Sequence, residues 1–428
     1  MKPADVVGAS PGGNAAPGDR RTAVWLVLVA GAGLFAMTMG ARQTMGLFLS
    51  PLNTATGLGL ASISLAFAFG QLWWGLTQPF AGYVADKIGA GRVLFAGVLL
   101  VALGTVITPY MTTTAGLILA IGVLAAGGAG MAGPAVLMAA TTRMISPDKR
   151  GIATGIVNAG GSLGQFIMAP LAGALTVGIG WAGAMQVMGV LVLLALPAAF
   201  VLKGNAAQSA PAGAKPVGTR QAIRTALRDQ SYLLLGAGFF VCGFHVAFLA
   251  THLPGVIASC GLPLQVGAWA LATIGLFNIV GSFAMGWAIG RWRMKPLLSL
   301  LYAARGTAIV LFLLAPKTTL TVLLFAAVMG VTFLSTVPPT AGLVAKFFGP
   351  ANMATLFGIV MLAHQAGGFL GAWMGGKVFE ATGAYDLVWY VDIALAAGAA
   401  LVHLPIRENH LPVRGVHTTA LAQGPAGT

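Results

Sequence analysis

Apolar runs of twenty or more residues, separated by short breaks that hold nearly all of the charge, leave this chain few ways to fold. Hydrophobic residues fill 57% of its 428 positions and charged residues 7%. A helix of about 20 residues crosses a hydrocarbon core of about 30 Å, and in lipid every backbone group must bond within its own helix. The pattern therefore specifies an all-α polytopic membrane protein and excludes a soluble fold. Twelve spans are expected, at 23–49, 61–85, 92–110, 115–142, 151–175, 181–202, 231–254, 265–289, 296–314, 319–344, 354–379 and 386–405.

Basic residues collect in cytoplasmic loops. With the N-terminus inside, 19 of the 23 Lys and Arg residues fall on the inner side, Lys317 and Lys377 fall outside, and Arg42 and Arg305 fall within spans. Both termini are thus expected in the cytoplasm of a bacterium, with the chain in the inner membrane. The net charge of +14 is spread over alternate loops, so topology explains it and a nucleic-acid partner is not expected. Cys242 and Cys260 imply no disulfide framework. Residues 1–22 lack an apolar core and read as a disordered cytoplasmic tail, not a cleaved signal.

A polar and then basic stretch, 203–230, reads as a cytoplasmic linker with room for a short surface helix. It separates an N-terminal six-helix bundle (23–202) from a C-terminal one (231–406), with a second tail over 407–428. The halves match at an offset of about 204 residues: Pro79 and Gly82 answer Phe283 and Gly286, Pro134 answers Pro338, and Gly155 answers Gly358. Matches in order at one offset indicate two parallel six-helix repeats, with substrate held near midplane between them.

The segment GYVADKIGAGR after span 2 resembles the loop motif of the major facilitator superfamily, carried by Gly82, Asp86, Lys87, Gly89 and Arg92. The resemblance implies that these residues gate the transport cycle, the Asp holding the halves together on the cytoplasmic side in the outward-open state. Ala90 and Gly91 stand where a basic pair is usual. A narrower likeness, DKRGIATGIVNAGGSLG opening span 5 together with the whole of span 1, resembles the monocarboxylate porters, which include proton-linked lactate and pyruvate carriers and oxalate/formate exchangers. It sets Arg42 where some animal members keep a Lys implicated in substrate and proton binding. At span 8, Asn278 and Ser282 occupy places where many carriers have an Asp and an Arg.

The membrane interior suggests an anionic substrate. All nine acids are expected in loops, tails or near span ends, with no carboxylate deep, whereas Arg, His and amides are available inside. A planar guanidinium holds a carboxylate through two parallel bonds, which makes Arg42 the candidate anchor. Helical spacing aligns further candidates. Thr38 lies one turn before Arg42 on span 1; Gln71 and Trp74 lie on span 2, Asn158 and Ser162 on span 5, His245 on span 7, Asn278 on span 8, and His364 and Gln365 on span 11. His245 stands 203 residues after Arg42, near its repeat counterpart, and its ordinary pKa near 6.5 makes it a proton carrier. His364 and Gln365 project about 100° apart, so one of them faces the path.

Each candidate has a plainer alternative. Arg42 could snorkel to interfacial water, His245 could be a neutral side chain bonded to a neighbouring helix, and the amides could join helices instead of binding ligand. Arg305 is read either as a gating residue or as a structural partner within its bundle. No nucleotide-binding loop, metal set or nucleophile–base constellation is discernible, so neither an enzyme nor a cofactor is expected. The sequence reads as a monomeric secondary transporter in the lipid bilayer for a small organic anion, a monocarboxylate, with protons as the coupling ion. The alternatives are anion exchange and efflux of weakly acidic or amphipathic compounds.

Overall fold

The computed structural model describes residues 17–146, 150–203, 219–349 and 353–408, and every regular element among them is helical. Ten stretches are long and apolar enough to cross a membrane: Val24–Thr56 (α1), Leu60–Ile88 (α2), Ala90–Tyr110 (α3), Thr114–Thr141 (α4), Ile152–Val201 (α5 and α6), Gln230–Ser259 (α7), Leu264–Ala288 (α8), Met294–Leu314 (α9), Thr319–Phe348 (α10) and Thr355–Thr382 (α11). The fifth, 50 residues long, would extend about 75 Å as one helix, more than twice the hydrocarbon core. It divides at Gly180, whose φ of 78° lies in the left-handed region that favours glycine. A final helix, Asp386–Val402 (α12), has 17 residues and the same apolar character. Two crossings in the fifth stretch and this last helix bring the count to the twelve expected.

The helices form two six-helix bundles. One apolar core, including Leu34, Leu94, Val136 and Val192, lies within the N-terminal bundle. Another, including Leu235, Leu298, Leu343 and Val360, lies in the C-terminal bundle. A third straddles the seam and joins Phe48 and Ile63 to Phe244, Leu253 and Phe325. Of the linker, the helix Thr219–Ala226 is present, while 204–218, like the tail positions 1–16 and 409–428, lies outside the described residues.

Interruptions within α1, α4 and α10 shape the interior, and those in α1 and α10 stand beside buried polar groups. In α1 the helix that begins at Pro17 ends at Gln43, a 3-10 turn covers Met45–Phe48, and helix resumes at Leu49. In α4 helix stops at Met131 and restarts at Pro134. In α10 it stops at Thr332 and restarts at Val337, immediately before Pro338 and Pro339, which have no N–H to give the preceding turn. Carbonyls left without helical partners there must bond elsewhere.

The helix ends and loops at the junctions of α2 with α3, α4 with α5, α8 with α9, and α10 with α11 carry the basic residues Lys87, Arg92, Arg143, Arg291, Arg293 and Lys346, and define a basic face. On the opposite face the bundles touch closely. A Cβ added at Gly46 of α1 would meet the Ala250 carbonyl of α7 at 2.1 Å, and one at Gly376 of α11 would meet Ser64 Oγ of α2 at 2.1 Å. The Glu380 carboxylate, at the end of α11, accepts the Ala61 N–H at the start of α2 at 2.8 Å.

Candidate substrate site

Arg42 occupies the last turn of the first helical segment, where exposed carbonyls favour a cation. Its half-buried guanidinium donates to Gln71 Oε1 on α2 and to Gln43 Oε1 at 3.3 Å, and it lies 4.8 Å from the centre of the Trp74 ring. Stacking on an indole and bonding to amides hold the planar group in one orientation without neutralising it. Among the described residues no carboxylate pairs with it. A cavity of about 40 Å³ opens beside it, lined also by Gln71, Phe67, Thr105 and Ile121. All of this lining comes from α1 to α4, within the N-terminal bundle.

The other candidates are distributed around the seam. Gln365 of α11 faces α2: a Cβ added at Gly75 would meet its Cγ at 2.4 Å, and its buried Nε2 makes no hydrogen bond. Its neighbour His364 turns the other way, into the C-terminal bundle, where its ring lies 4.8 Å from that of Phe239. Asn278 of α8 donates to Ser162 Oγ of α5 at 2.8 Å and accepts the Leu334 N–H in the α10 break at 3.0 Å. It therefore joins the two bundles at midplane. Asn158, one turn from Ser162 toward the basic face, is exposed. Thr38 is fully buried and donates to the Leu34 carbonyl of its own helix at 3.1 Å. Arg42, Gln71 and Trp74 thus meet at one place, with Gln365 across the seam beside Gly75; Ser162 and Asn278 meet at another, and His245 and His364 lie inside the C-terminal bundle.

His245 corrects one expectation. Asp392, seven residues into α12, is fully buried and its carboxyl lies against His245 Nδ1. A carboxylate therefore does lie deep. The reason is orientation: α12 turns Asp392 toward the bundle interior while Tyr390, two residues earlier, is exposed.

Arg305, also buried, donates to the carbonyls of Thr332 and of Phe333, the latter at 2.6 Å, and sits 5.4 Å from the Tyr302 ring. It caps the carbonyl end of the first α10 segment, satisfying groups that the break releases. Cys242 Sγ lies 3.0 Å from Thr336 Oγ1 in that same break.

In the last turn of α2, Asp86 pairs with Arg143 at the end of α4, both of the same bundle and both on the basic face. Lys87 lies over the Tyr83 ring at 4.4 Å, and Arg92 donates to the Ile88 carbonyl at 3.3 Å. Gly89 has φ 94°, a conformation that glycine permits. At Gly91, one of the two positions where a basic pair is usual, a Cβ would meet the Ala199 carbonyl at 2.7 Å, so a side chain does not fit there against α6. Gly82 projects into open space.

Two helical bundles meeting along a seam of polar side chains make a membrane transport protein in class. The family model of the Major Facilitator Superfamily matches residues 29–372, and the chain belongs to that superfamily. It is 24% identical to the uncharacterized MFS-type transporter YcxA of Bacillus subtilis, over 89% of this chain and 94% of that one. It is 25% identical to monocarboxylate transporter 13 of Rattus norvegicus, over 89% of each. With the oxalate:formate antiporter of Oxalobacter formigenes it shares 26% identity over 83% and 82%. In fold it is similar to the nucleoside transporter NupG, with a TM-score of 0.75 at 15% identity, covering 90% of this chain and 99% of that one.

Proposed function

We propose that this multi-pass membrane protein carries a small monocarboxylate across the inner membrane by alternating access, as a monomer, in symport with protons. The observation that carries the reading is Arg42, a half-buried cation fixed by Gln71 and Trp74 with no carboxylate partner among the described residues. A bound carboxylate would supply the missing charge through two charge-assisted bonds. A cavity of about 40 Å³ holds about three waters, the size of an acid of few carbons. The likeness to monocarboxylate transporters and an oxalate:formate antiporter supports the same class of substrate. Gln71 and Gln365 would bond its second oxygen or a hydroxyl, and Trp74 would cover its apolar part. With the basic face taken as cytoplasmic, both termini are inside and this conformation is open inward.

Exchange of anions is the second reading. An uncompensated Arg42 favours it, because a returning anion would neutralise the cation on both legs of the cycle. The test is uptake of labelled lactate, pyruvate, acetate, oxalate and benzoate into liposomes, with and without an inward proton gradient, beside Arg42→Gln. Gradient-stimulated uptake that the variant loses supports symport at Arg42. Uptake only against preloaded anion supports exchange, and an unaffected variant overturns the anion site.

A further inference from the structure

We propose that the buried His245–Asp392 pair of the C-terminal bundle is the site where the coupling proton binds, with Arg305 as its fixed counter-charge. This deepens the symport reading and rests on it. Asp392 is 0% exposed and His245 1%, and beyond their mutual contact none of their four ring and carboxyl heteroatoms makes a hydrogen bond with a described group. Each is thus the other's sole polar partner among the described groups, and an added proton at this place has only the two of them to hold it.

The surrounding charges come from few elements. On α7 itself Cys242 lies one turn before His245. From α9, Tyr302 donates to the Gly238 carbonyl of α7 at 2.6 Å, and Arg305 lies one turn further on. From α11, His364 turns inward beside Phe239. At the C-terminal cap of α12, His403 stacks on Tyr302 at 5.1 Å. Of the remaining segments packed against α7, α8, Met45–Phe48 and Leu49–Thr56 carry no charged or titratable residue, while α2 and Val337–Phe348 carry theirs, Tyr83, Asp86, Lys87 and Lys346, toward their basic-face ends. Of these groups Arg305 keeps its charge throughout, since a guanidinium does not deprotonate in proteins. Its Nε and Nη1 are buried without hydrogen bonds, so its charge is not spent on α10 alone.

Counting charge then gives the pair a role. With Asp392 ionised and His245 neutral, Arg305 brings the C-terminal core to zero, and one added proton brings it to +1. In the N-terminal bundle Arg42 alone is +1, and with a bound monocarboxylate it is zero. Empty carrier and carrier holding one anion and one proton therefore bury the same total charge. The proton alone would raise the total to +2, which the low-dielectric interior penalises, whereas a bound anion first brings it to zero and so eases the proton's entry. One anion moves with one proton on this account although the two sites are in different bundles.

The experiment uses the full-length protein in liposomes and the variants Asp392→Asn and Asp392→Glu. For whichever acid of the panel the wild type accumulates, two rates are compared: uptake driven by an inward proton gradient, and counterflow against preloaded acid at equal pH. Asp392→Asn is expected to lose gradient-driven uptake by more than about tenfold and to keep counterflow within about twofold, with Asp392→Glu restoring part of the former. An acid-minus-neutral infrared difference spectrum, which needs no substrate, is expected to contain a carboxyl band that Asp392→Asn lacks and Asp392→Glu shifts. Wild-type gradient-driven uptake in Asp392→Asn overturns the proposal. Equal loss of uptake and counterflow, unrepaired by Asp392→Glu, makes Asp392 structural and overturns it too. If the wild type moves no acid, the monocarboxylate reading fails, and the infrared band alone decides whether the proton site stands.

Discussion

Two cations inside apolar helices are resolved differently, and the difference lies in what their donors meet. Arg42 meets side-chain amides and an indole face beside a cavity, partners that leave its charge available. Arg305 meets backbone carbonyls that a break in α10 has released, partners that need a donor whatever the substrate. Arg305→Met should therefore cost stability first. Hydrogen bonds from a charged donor contribute about 1.5 to 3 kcal/mol each, and some of that is offset by removing a desolvated charge, so a loss of about 2 kcal/mol is expected. Unfolding of the purified protein in graded dodecyl sulfate, with and without the substitution, measures it. Unchanged stability with a raised KM would instead make Arg305 a ligand of the path.

At the scale of elements, one face of each seam helix tells which end of the molecule is open. On α2 that face runs Ser64, Gln71, Gly75, Gly82; on α5 it runs Ser162 and Gly155; on α8, Gly275 and Gly286; on α11, Gly376, Gln365 and Gly358. Its midplane and opposite-face members are packed across the seam, whereas Cβ atoms added at Gly82, Gly155, Gly286 or Gly358 would meet nothing within 4 Å. Small residues facing open space are explained if these ends close on each other in the alternative state. Gly358→Leu is expected to leave the melting temperature unchanged and lower transport by about tenfold, since it obstructs only the state not seen here. Gly75→Leu, which would strike Gln365, is expected to lower both. Thermal unfolding beside uptake separates the two. The spans and the repeat were legible because hydropathy and spacing report burial directly. Asp392 was not, because a hydropathy run does not say which way a helix is rotated; its acid stands among apolar neighbours in YVDIAL, so depth was written there and orientation was not. The break at Gln43 was also hidden, since no strong breaker stands there, whereas Pro338 and Pro339 mark the break in α10; the two breaks decide what Arg42 and Arg305 can reach. Gln365 and His364 differ for the plainer reason of a 100° turn, which spacing does show.

For the whole molecule, alternation requires that the contacts now closing the opposite face be strong enough to hold and weak enough to release. Most of them are apolar or backbone-to-glycine, and Glu380 supplies a polar one between the bundles, its carboxylate on the Ala61 N–H at the N-terminus of α2. A negative charge at a helix N-terminus contributes about 0.3 to 1 kcal/mol where solvent reaches it, as it does here. Glu380→Gln keeps the shape and removes the charge, so the population closed on this face should fall relative to the open one by about two- to fivefold. Spin labels at Thr54→Cys and Ala258→Cys, both exposed and lining a cavity of about 400 Å³ between α1 and α7, report the separation directly when Cys242 and Cys260 are replaced. The expected result is a longer-distance component that grows in Glu380→Gln and grows less in high salt, where the carboxylate of the parent is itself screened. A distance distribution identical in both proteins would mean that apolar contact alone closes this face. The same substitution should speed the step that reopens it, raising exchange at saturating substrate if that step limits turnover, whereas Gly358→Leu acts on the other end and slows it. Opposite effects from opposite ends are what a single rocking motion between two rigid bundles requires, and two gates opening independently would not produce them.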